Sequence, residues 1–511
     1  MTQVSGPPND NSGATNIPQD FRLLEGEKLL EPVITHAPRK IQNQPSSLKQ
    51  ILRLTRANDD HAIGATGPSM AAIALDAQDL GDTDGDTPDH LRLYEALFGR
   101  DSLRVAIDLI SSYPELARAT VLELAHLQGL EDHTEREEEL GRIVHESRDS
   151  SDPIAQILTK ERGWQWPYYG SVDATPEFIR TLTAYCQKSE ENAAFLSQTY
   201  TDRHGKERTI SHALEMSLAW IIRRLNSNVE GLLEYRSVIP YGIENQVWKD
   251  SWDAYHHADG TIANHTKGIA SIEVQVTTYD ALIDAAELFE DILDQPDRAK
   301  DLRNLAKHLR DAIFYYFWTE DKGGYFVLGT DRDENGHLRQ MKIRTSTMGH
   351  VLNSRLLKGD HPIVVRMREA IVKQLFSPEM LNVSGIRTLA SDEVRFRSGA
   401  YHNGSVWLWD THHIAKGLRR LGYYDLAMDL DKRILNVART TKMYPEYVRG
   451  DFSDTPSINM HTITVWDDIN KRENKVEQPP QEVQAWTVAV ILATKKRLER
   501  HGLLSDEDRD F

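Results

Sequence analysis

The residues best suited to chemistry are concentrated in residues 245–260, NQVWKDSWDAYHHADG. Carboxylates (Asp250, Asp253, Asp259), indoles (Trp248, Trp252), amides (Asn245, Gln246) and histidines (His256, His257) share this stretch. No apolar period of 2 or 3.6 runs through it, so it does not read as a core element. Aromatic planes beside carboxylates and amides suit a sugar, whose C–H face stacks on indole while its hydroxyls bond to the polar groups; a surface loop carries the same residue types. Cleaving a glycosidic bond takes two carboxyl groups, one to protonate the leaving oxygen and one to activate water or attack the sugar. Asp250 lies two positions from a tryptophan on either side, and apolar rings there would raise its pKa and keep it protonated. Glu446 lies in KMYPEYVRGD, a proline-bounded aromatic loop, where a solvated loop glutamate is the competing reading.

The elements that would position such a pair are helical. From Arg100 onward, helical patterns recur at about 210–226, 263–293, 297–317, 346–356, 362–375, 405–421, 424–440 and 482–501. Two more helices flank Tyr113-Pro114, and Thr175-Pro176 reads as an N-cap followed by proline at the first helical position. The best strand signal pairs 323–331 with 337–345 as an inserted hairpin. About a dozen helices in sequential pairs, without βαβ alternation, predict an all-α architecture. No fixed 30–45-residue repeat points to a regular solenoid. If the pairs close into a ring, the loops ahead of the inner helices gather at one end. Arg100-Asp101, Asp173, Asp250, His402-Asn403 and Glu446 all occupy such loops.

Composition narrows the function classes. The 511 residues carry a net charge of −18, with 40% hydrophobic and 27% charged residues. An acidic surface disfavours nucleic acid and anionic lipid as partners. No apolar run reaches membrane-spanning length, the N-terminus lacks a signal-peptide pattern, and the single cysteine, Cys186, fits a reducing compartment. The expectation is a cytoplasmic enzyme with a small-molecule partner and no cofactor. The first 45 residues read as a loosely ordered arm, and 46–505 as one catalytic domain with insertions near 130–165, 318–345 and 451–480, the last an irregular segment. Two acidic stretches, GDTDGDTPD at 81–89 and DRDENG from Asp331, suggest calcium only superficially. The ligand spacing of the first is incomplete, and the twelfth position of the second is Lys342 and not glutamate. No His/Asp/Glu trio has zinc spacing.

Eight blocks in order then give a resemblance: LFGRDSL (97–103), YYGSVDATPEFI (168–179), NQVWKDSWDAYHHADG (245–260), IEVQVTTYDA (272–281), SGIRTLA (384–390), YHNGSVWLWD (401–410), YPEY (444–447) and VQAWT (483–487). Across roughly residues 90–500 the chain resembles glycoside hydrolases of the amylo-α-1,6-glucosidase (glycogen-debranching, C-terminal) type, related to the processing α-glucosidase and mannosyl/glucosylglycerate hydrolase families. The resemblance implies a six-hairpin (α/α)6 barrel and inversion at the anomeric carbon. It implies Asp250 as general acid and Glu446 as general base. Asp101 and Asp173 would bind sugar hydroxyls, while Glu273, Gln275, Tyr401, His402 and Trp407 would line the same pocket and Gln484 and Trp486 would close its floor. Arg100, Trp166, Tyr169 and Trp248 join them as candidate binding residues.

Each assignment has a structural rival: Asp101 as a helix cap, Asp173 at a helix start, the tryptophans as core fillers (Trp409 above all), and His256 and His257 as loop histidines. Arg344, Arg387 and Arg449 could be ion-pair partners or contacts for a substrate carboxylate. Only about ninety residues precede LFGRDSL, with little strand pattern, where debranching enzymes carry a large β-rich domain; this favours a small glycoside over a polymer. The reading that results is an inverting, exo-acting α-glucosidase of a small α-glucoside such as glucosylglycerol. Glucosylglycerate or mannosylglycerate hydrolysis, debranching of oligosaccharides, phosphorolysis and non-catalytic sugar binding are the alternatives.

Overall fold

The structure, a computed structural model, describes residues 74–75, 96–189, 192–458, 461–467, 472–478, 480 and 483–509. The arm at 1–45, the acidic loop at 81–89 and part of the insertion at 451–480 lie outside the described residues.

Helices dominate, with only small sheets between them. In chain order the main helices are α1 (Gly99–Leu109), α2 (Pro114–His126), α3 (Pro153–Arg162), α4 (Ala174–Lys188), α5 (Ile210–Leu225), α6 (Ile272–Asp291), α7 (Pro296–Phe317), α8 (Pro362–Leu375), α9 (Leu408–Arg420), α10 (Tyr424–Thr441) and α11 (Ala485–Arg500). Proline opens four of them (α2, α3, α7 and α8), at a position where its missing N–H costs nothing. Asp152 caps α3 by accepting from the amides of Ile154 and Ala155, and Thr209 caps α5 at the amide of His212.

The packing order is cyclic. Helix α1 packs on α4, α4 on α6, α6 on the 3₁₀ stretch Ser346–Asn353, that stretch on α9, α9 on α11, and α11 on α1. Outside these, α2 lies on α1 and α4, α5 on α4, α7 on α6, α8 on the 3₁₀ stretch, and α10 on α9 and α11. One apolar core runs through most of these elements. A second joins Val105 and Leu109 of α1 to Trp407 and Trp409, to Ile434 and Leu435 of α10, and to Val488 and Ile491 of α11.

The departures from the sequence expectations have identifiable causes. The helix expected from residue 263 begins only at Ile272, because 261–269, with Asn264 and Gly268 in it, is turn and loop and the next two residues, Ala270–Ser271, are taken up as a strand. That strand pairs with Gly329–Arg332, which also pairs with Leu338–Gln340 (Arg332 opposite Leu338), so the expected hairpin is part of a three-stranded sheet. Tyr325–Phe326 pairs separately with Trp318–Thr319. The helix expected from Ser405 begins at Leu408, since Val406 pairs with Val448. The pattern at 346–356 is 3₁₀ throughout its helical part. Helix α4 starts at Ala174 with Asp173 as its N-cap, so Pro176 falls inside the first turn; Thr175 is not the cap, and its hydroxyl accepts from the amide of Ile143 at 3.0 Å. Finally, 451–480 is not irregular throughout: His461–Asp467 and Arg472–Gln478 form an antiparallel hairpin, and Ala74–Leu75 pairs with Val483–Gln484 at the start of α11.

Candidate active site

The segment around Asp250 has no regular structure, and side chains on other elements pin it. Gln246 accepts from Arg142 Nη2 at 2.7 Å and donates to Glu137 Oε2 at 2.8 Å. Asn245 donates to the carbonyl of Ser251 at 2.7 Å, closing the loop on itself. Lys249 is buried and donates to the carbonyl of Thr388 at 2.7 Å. Burial lowers its pKa to about 8, against the pull of Asp410 and Glu273. Asn403 holds the carbonyl of Asp253 at 2.9 Å, and His402 Nδ1 accepts from the amide of Ser251 at 3.3 Å.

Glu446 reaches the same place by another route. Val406 and Val448 exchange two backbone hydrogen bonds of 2.9 Å, which tie the YHNG segment to the YPEY segment. Glycines let these backbones meet: a Cβ on Gly450 would sit 1.8 Å from the carbonyl oxygen of Gly404. The Tyr401 hydroxyl donates to Glu446 Oε1 at 2.5 Å, and Glu446 is only 5% exposed. On the α1 side, the amide of Gly99 donates to the carbonyl of His145 at 2.9 Å, and a Cβ on Gly99 would meet the carbonyl oxygen of Val144 at 2.0 Å; glycine is therefore needed ahead of Arg100-Asp101.

These segments enclose one cavity, lined by Phe98, Arg100, Asp101, His145, Trp248, Asp250, Tyr401, His402, Trp407, Glu446, Gln484 and Trp486. Asp250 and Glu446, 196 positions apart in sequence (446 minus 250), are both in its wall. So are eight of the other thirteen residues that the sequence nominated: Arg100, Asp101, Trp248, Tyr401, His402, Trp407, Gln484 and Trp486.

Five nominated residues are not in the lining. Asp173 is one step behind it, accepting from Ser171 Oγ at 2.6 Å and lying 3.6 Å from Arg100 Nη1. Glu273 accepts from the Tyr255 hydroxyl at 2.6 Å, and Gln275 is committed to the backbone of Leu233, both amide and carbonyl at 2.9 Å. Tyr169 is buried with its hydroxyl on the carbonyl of Leu127 at 2.6 Å. Trp166 bonds through its indole N–H to Thr159 Oγ1 at 3.1 Å. Phe98 and His145 line the cavity and were missed. Phe98 adjoins the GRDS block, whereas IVHES around His145 carries no sequence signal.

Neither Asp101 nor Asp173 caps its helix through a side-chain bond; both face Arg100 instead. Trp409 is buried outside the lining and stacks on Trp486, as a core filler would. Arg344 pairs with Asp392 and Glu393, Arg387 binds the carbonyls of Gly450 and Leu381, and Arg449 pairs with Asp451; none of the three lines the cavity. His257 contacts Asp331 at 3.1 Å.

Charge in the cavity is uneven. Arg100 lies 3.5 Å from Asp101, 3.6 Å from Asp173 and 3.3 Å from Asp250. Burial works against its guanidinium charge, but the three carboxylates outweigh that and raise its pKa. Burial raises the pKa of Asp101, with Arg100 opposing. Asp250 keeps 31% side-chain exposure to the cavity, yet desolvation pushes its pKa up to about 7, Arg100 pulling down and Asp101 pushing up. A protonated carboxyl and a second carboxyl held by a tyrosine hydroxyl therefore share one aromatic-walled space, which can donate a proton at one point and accept one at another.

No curated protein matches the chain. Among solved structures, a GH63 mannosylglycerate hydrolase from Thermus thermophilus in complex with glucose is similar at 12% identity and a TM-score of 0.49, covering 88% of this chain and 99% of that one. The same enzyme in complex with Tris gives 13% identity and a TM-score of 0.45 over the same shares. The family model described as mannosylglycerate hydrolase MGH1-like glycoside hydrolase domain matches residues 185–452, which include Asp250, His402 and Glu446. That match spans more than half of the sequence, and the chain belongs to the MGH1-like glycoside hydrolase family: it is a glycoside hydrolase.

Proposed function

We propose that this glycoside hydrolase is a closed (α/α)6 barrel, formed as a single catalytic domain, that hydrolyses a small α-glucoside with inversion. The cyclic order of helix packing supports the barrel. The observation that carries the mechanism is that Asp250 and Glu446 line one cavity in different environments. Asp250, protonated near neutral pH, donates its proton to the glycosidic oxygen, and Arg100 at 3.3 Å stabilises the carboxylate left behind. Glu446 takes a proton from the water that attacks C1 from the opposite face. The Tyr401 hydroxyl donates to Glu446 Oε1 and holds that side chain in place. In this reading Asp101 binds sugar hydroxyls, the Trp248, Trp407 and Trp486 rings hold the sugar's apolar face, and Asp173 and Glu273 act from behind the wall.

For the leaving group, a neutral polyol such as glycerol fits an acidic cavity in an acidic protein. The family's description favours a second reading, mannosylglycerate, with glucosylglycerate as its close chemical relative. The test is a panel of these glycosides, with the anomer released first read by proton NMR. A β-configured sugar from an α-glycoside supports inversion, and an α-configured first product overturns it. Inverting geometry requires the two carboxyls to stand about 6.5–9.5 Å apart.

A further inference from the structure

We propose that His402 is a specificity-determining residue that acts as a fixed neutral donor, its Nε2–H serving one hydroxyl of the sugar held in the cavity. The proposal rests on the glycoside reading above and adds to it an atom, a tautomer and a role.

Three observations lead to it. The first is the tautomer. The backbone amide of Ser251 can only donate, and it reaches His402 Nδ1 at 3.3 Å; the Ser251 hydroxyl lies 2.9 Å from the same nitrogen. Nδ1 is therefore the acceptor, and a neutral ring carries its proton on Nε2. The ring also stays neutral: burial holds its pKa well below the usual histidine range, with Lys249 and Arg100 pushing the same way.

The second is an unmet donor. His402 is 1% exposed, and among the described residues Nε2 has no hydrogen-bond partner. Leaving a buried donor unpaired is unfavourable, and an occupant of the cavity that offers an acceptor would relieve it. His402 belongs to the cavity wall, and with Nδ1 engaged by the protein, Nε2 is its one side-chain polar atom without a partner among the described residues. Two other residues of the wall, Trp248 and Trp486, likewise have buried indole N–H groups with no partner among the described residues. The wall thus sets donors beside the acceptors Asp101, Asp250 and Glu446, the complement of a ring whose hydroxyls both donate and accept.

The third is rigidity. The imidazole stacks on Trp407 (5.2 Å, 20°) and meets Trp248 (5.4 Å, 82°) and Tyr401 (4.4 Å, 62°) edge-on. A ring locked on three sides cannot turn to offer a different atom. A site built to bond a hydroxyl rejects an analogue that lacks it, because the buried donor is then left bare.

The experiment measures kcat/KM for fluoride release from α-glucosyl fluoride and each of its monodeoxy analogues, with wild type, His402→Phe and His402→Gln, checking by thermal unfolding that each variant is folded. The fluoride leaving group makes the readout independent of the aglycone. Wild type is expected to lose about 10- to 100-fold on one deoxy analogue beyond that compound's intrinsic reactivity. His402→Phe should be lowered on the parent compound yet show no further loss on that one analogue. His402→Gln, whose Nε2 can stand in for the ring's, should recover part of the rate and of the discrimination. Equal losses for His402→Phe across the parent and every analogue would mean a packing role and overturn the proposal, as would an unchanged His402→Phe. Absence of fluoride release by the wild-type protein would overturn the α-glucoside reading on which the proposal rests, and the proposal with it.

Discussion

At the residue scale the proposed reaction turns on Asp250. Burial pushes its pKa up to about 7, so it is protonated and able to donate below that pH. For natural glycosides, kcat/KM should fall tenfold per pH unit above about 7. For a glycosyl fluoride, whose leaving group needs no proton, that limb should be absent. Asp250→Asn should lower turnover of the natural substrate by about 10²–10⁴-fold. The same shift makes a stability statement. A carboxyl whose folded pKa lies above its unfolded value contributes stability at low pH that is lost as pH rises through the folded pKa, here about 7. An asparagine side chain cannot ionise, so the stability of Asp250→Asn relative to wild type should improve as pH rises from about 4 to about 7 and level off above that, as urea titrations at about pH 4, 6 and 8 would measure. Tyr401→Phe acts on the other carboxyl: without the hydroxyl at 2.5 Å Glu446 loses a donor that holds its side chain in place, and kcat should fall by more than KM rises, as steady-state kinetics would measure. Much of this scale was legible in the sequence. Tryptophans beside Asp250 and a proline-bounded Glu446 marked the two carboxyls, while His145 carried no mark because its place in the wall comes from the bond between its carbonyl and the amide of Gly99. Tyr169 and Gln275 misled the sequence reading because a buried polar side chain that serves the backbone has the same letter as one that serves a ligand.

At the element scale the site depends on irregular segments held against one another more than on helices. Gly404 and Gly450 meet so closely that Gly450→Ala should push the Glu446 segment away from Tyr401. We expect a stability loss of about 1–3 kcal/mol for the forced contact. The fall in kcat should exceed the rise in KM, since a misplacement of about 1 Å can cost roughly 10²-fold in rate. An unchanged kcat would show that the contact does not position Glu446. Gln246→Ala tests the other side: it leaves Arg142 and Glu137 each short of a partner and should destabilise by about 1–3 kcal/mol, read by chemical denaturation. Sequence pattern located the helices but extended three of them too far toward the N-terminus, across 263–271, 405–407 and 483–484. In each place a strand bridge to a distant segment claims the backbone, which a local period cannot foresee.

At the scale of the whole molecule the question is closure. Helical content and the pairing of helices were readable from periodicity, whereas the order in which they pack depends on contacts between the two ends of the described body, α1 and α11. Leu109, Trp407, Trp409, Val488 and Ile491 form the apolar cluster at that junction, and Gln484 and Trp486 enter the cavity from it. If the proposed ring is closed, the junction is part of one cooperative unit and cannot open alone. Leu109→Ala removes a side chain that is 1% exposed and should cost about 2–5 kcal/mol. The closed ring requires that the helical circular-dichroism signal and the tryptophan fluorescence of this face shift to lower temperature together and by the same amount. A fluorescence transition that precedes loss of helix would mean that α11 peels away from a ring that stays folded without it. The cavity would then lose Gln484 and Trp486 before the rest of the molecule unfolds, and activity would disappear at the earlier of the two transitions.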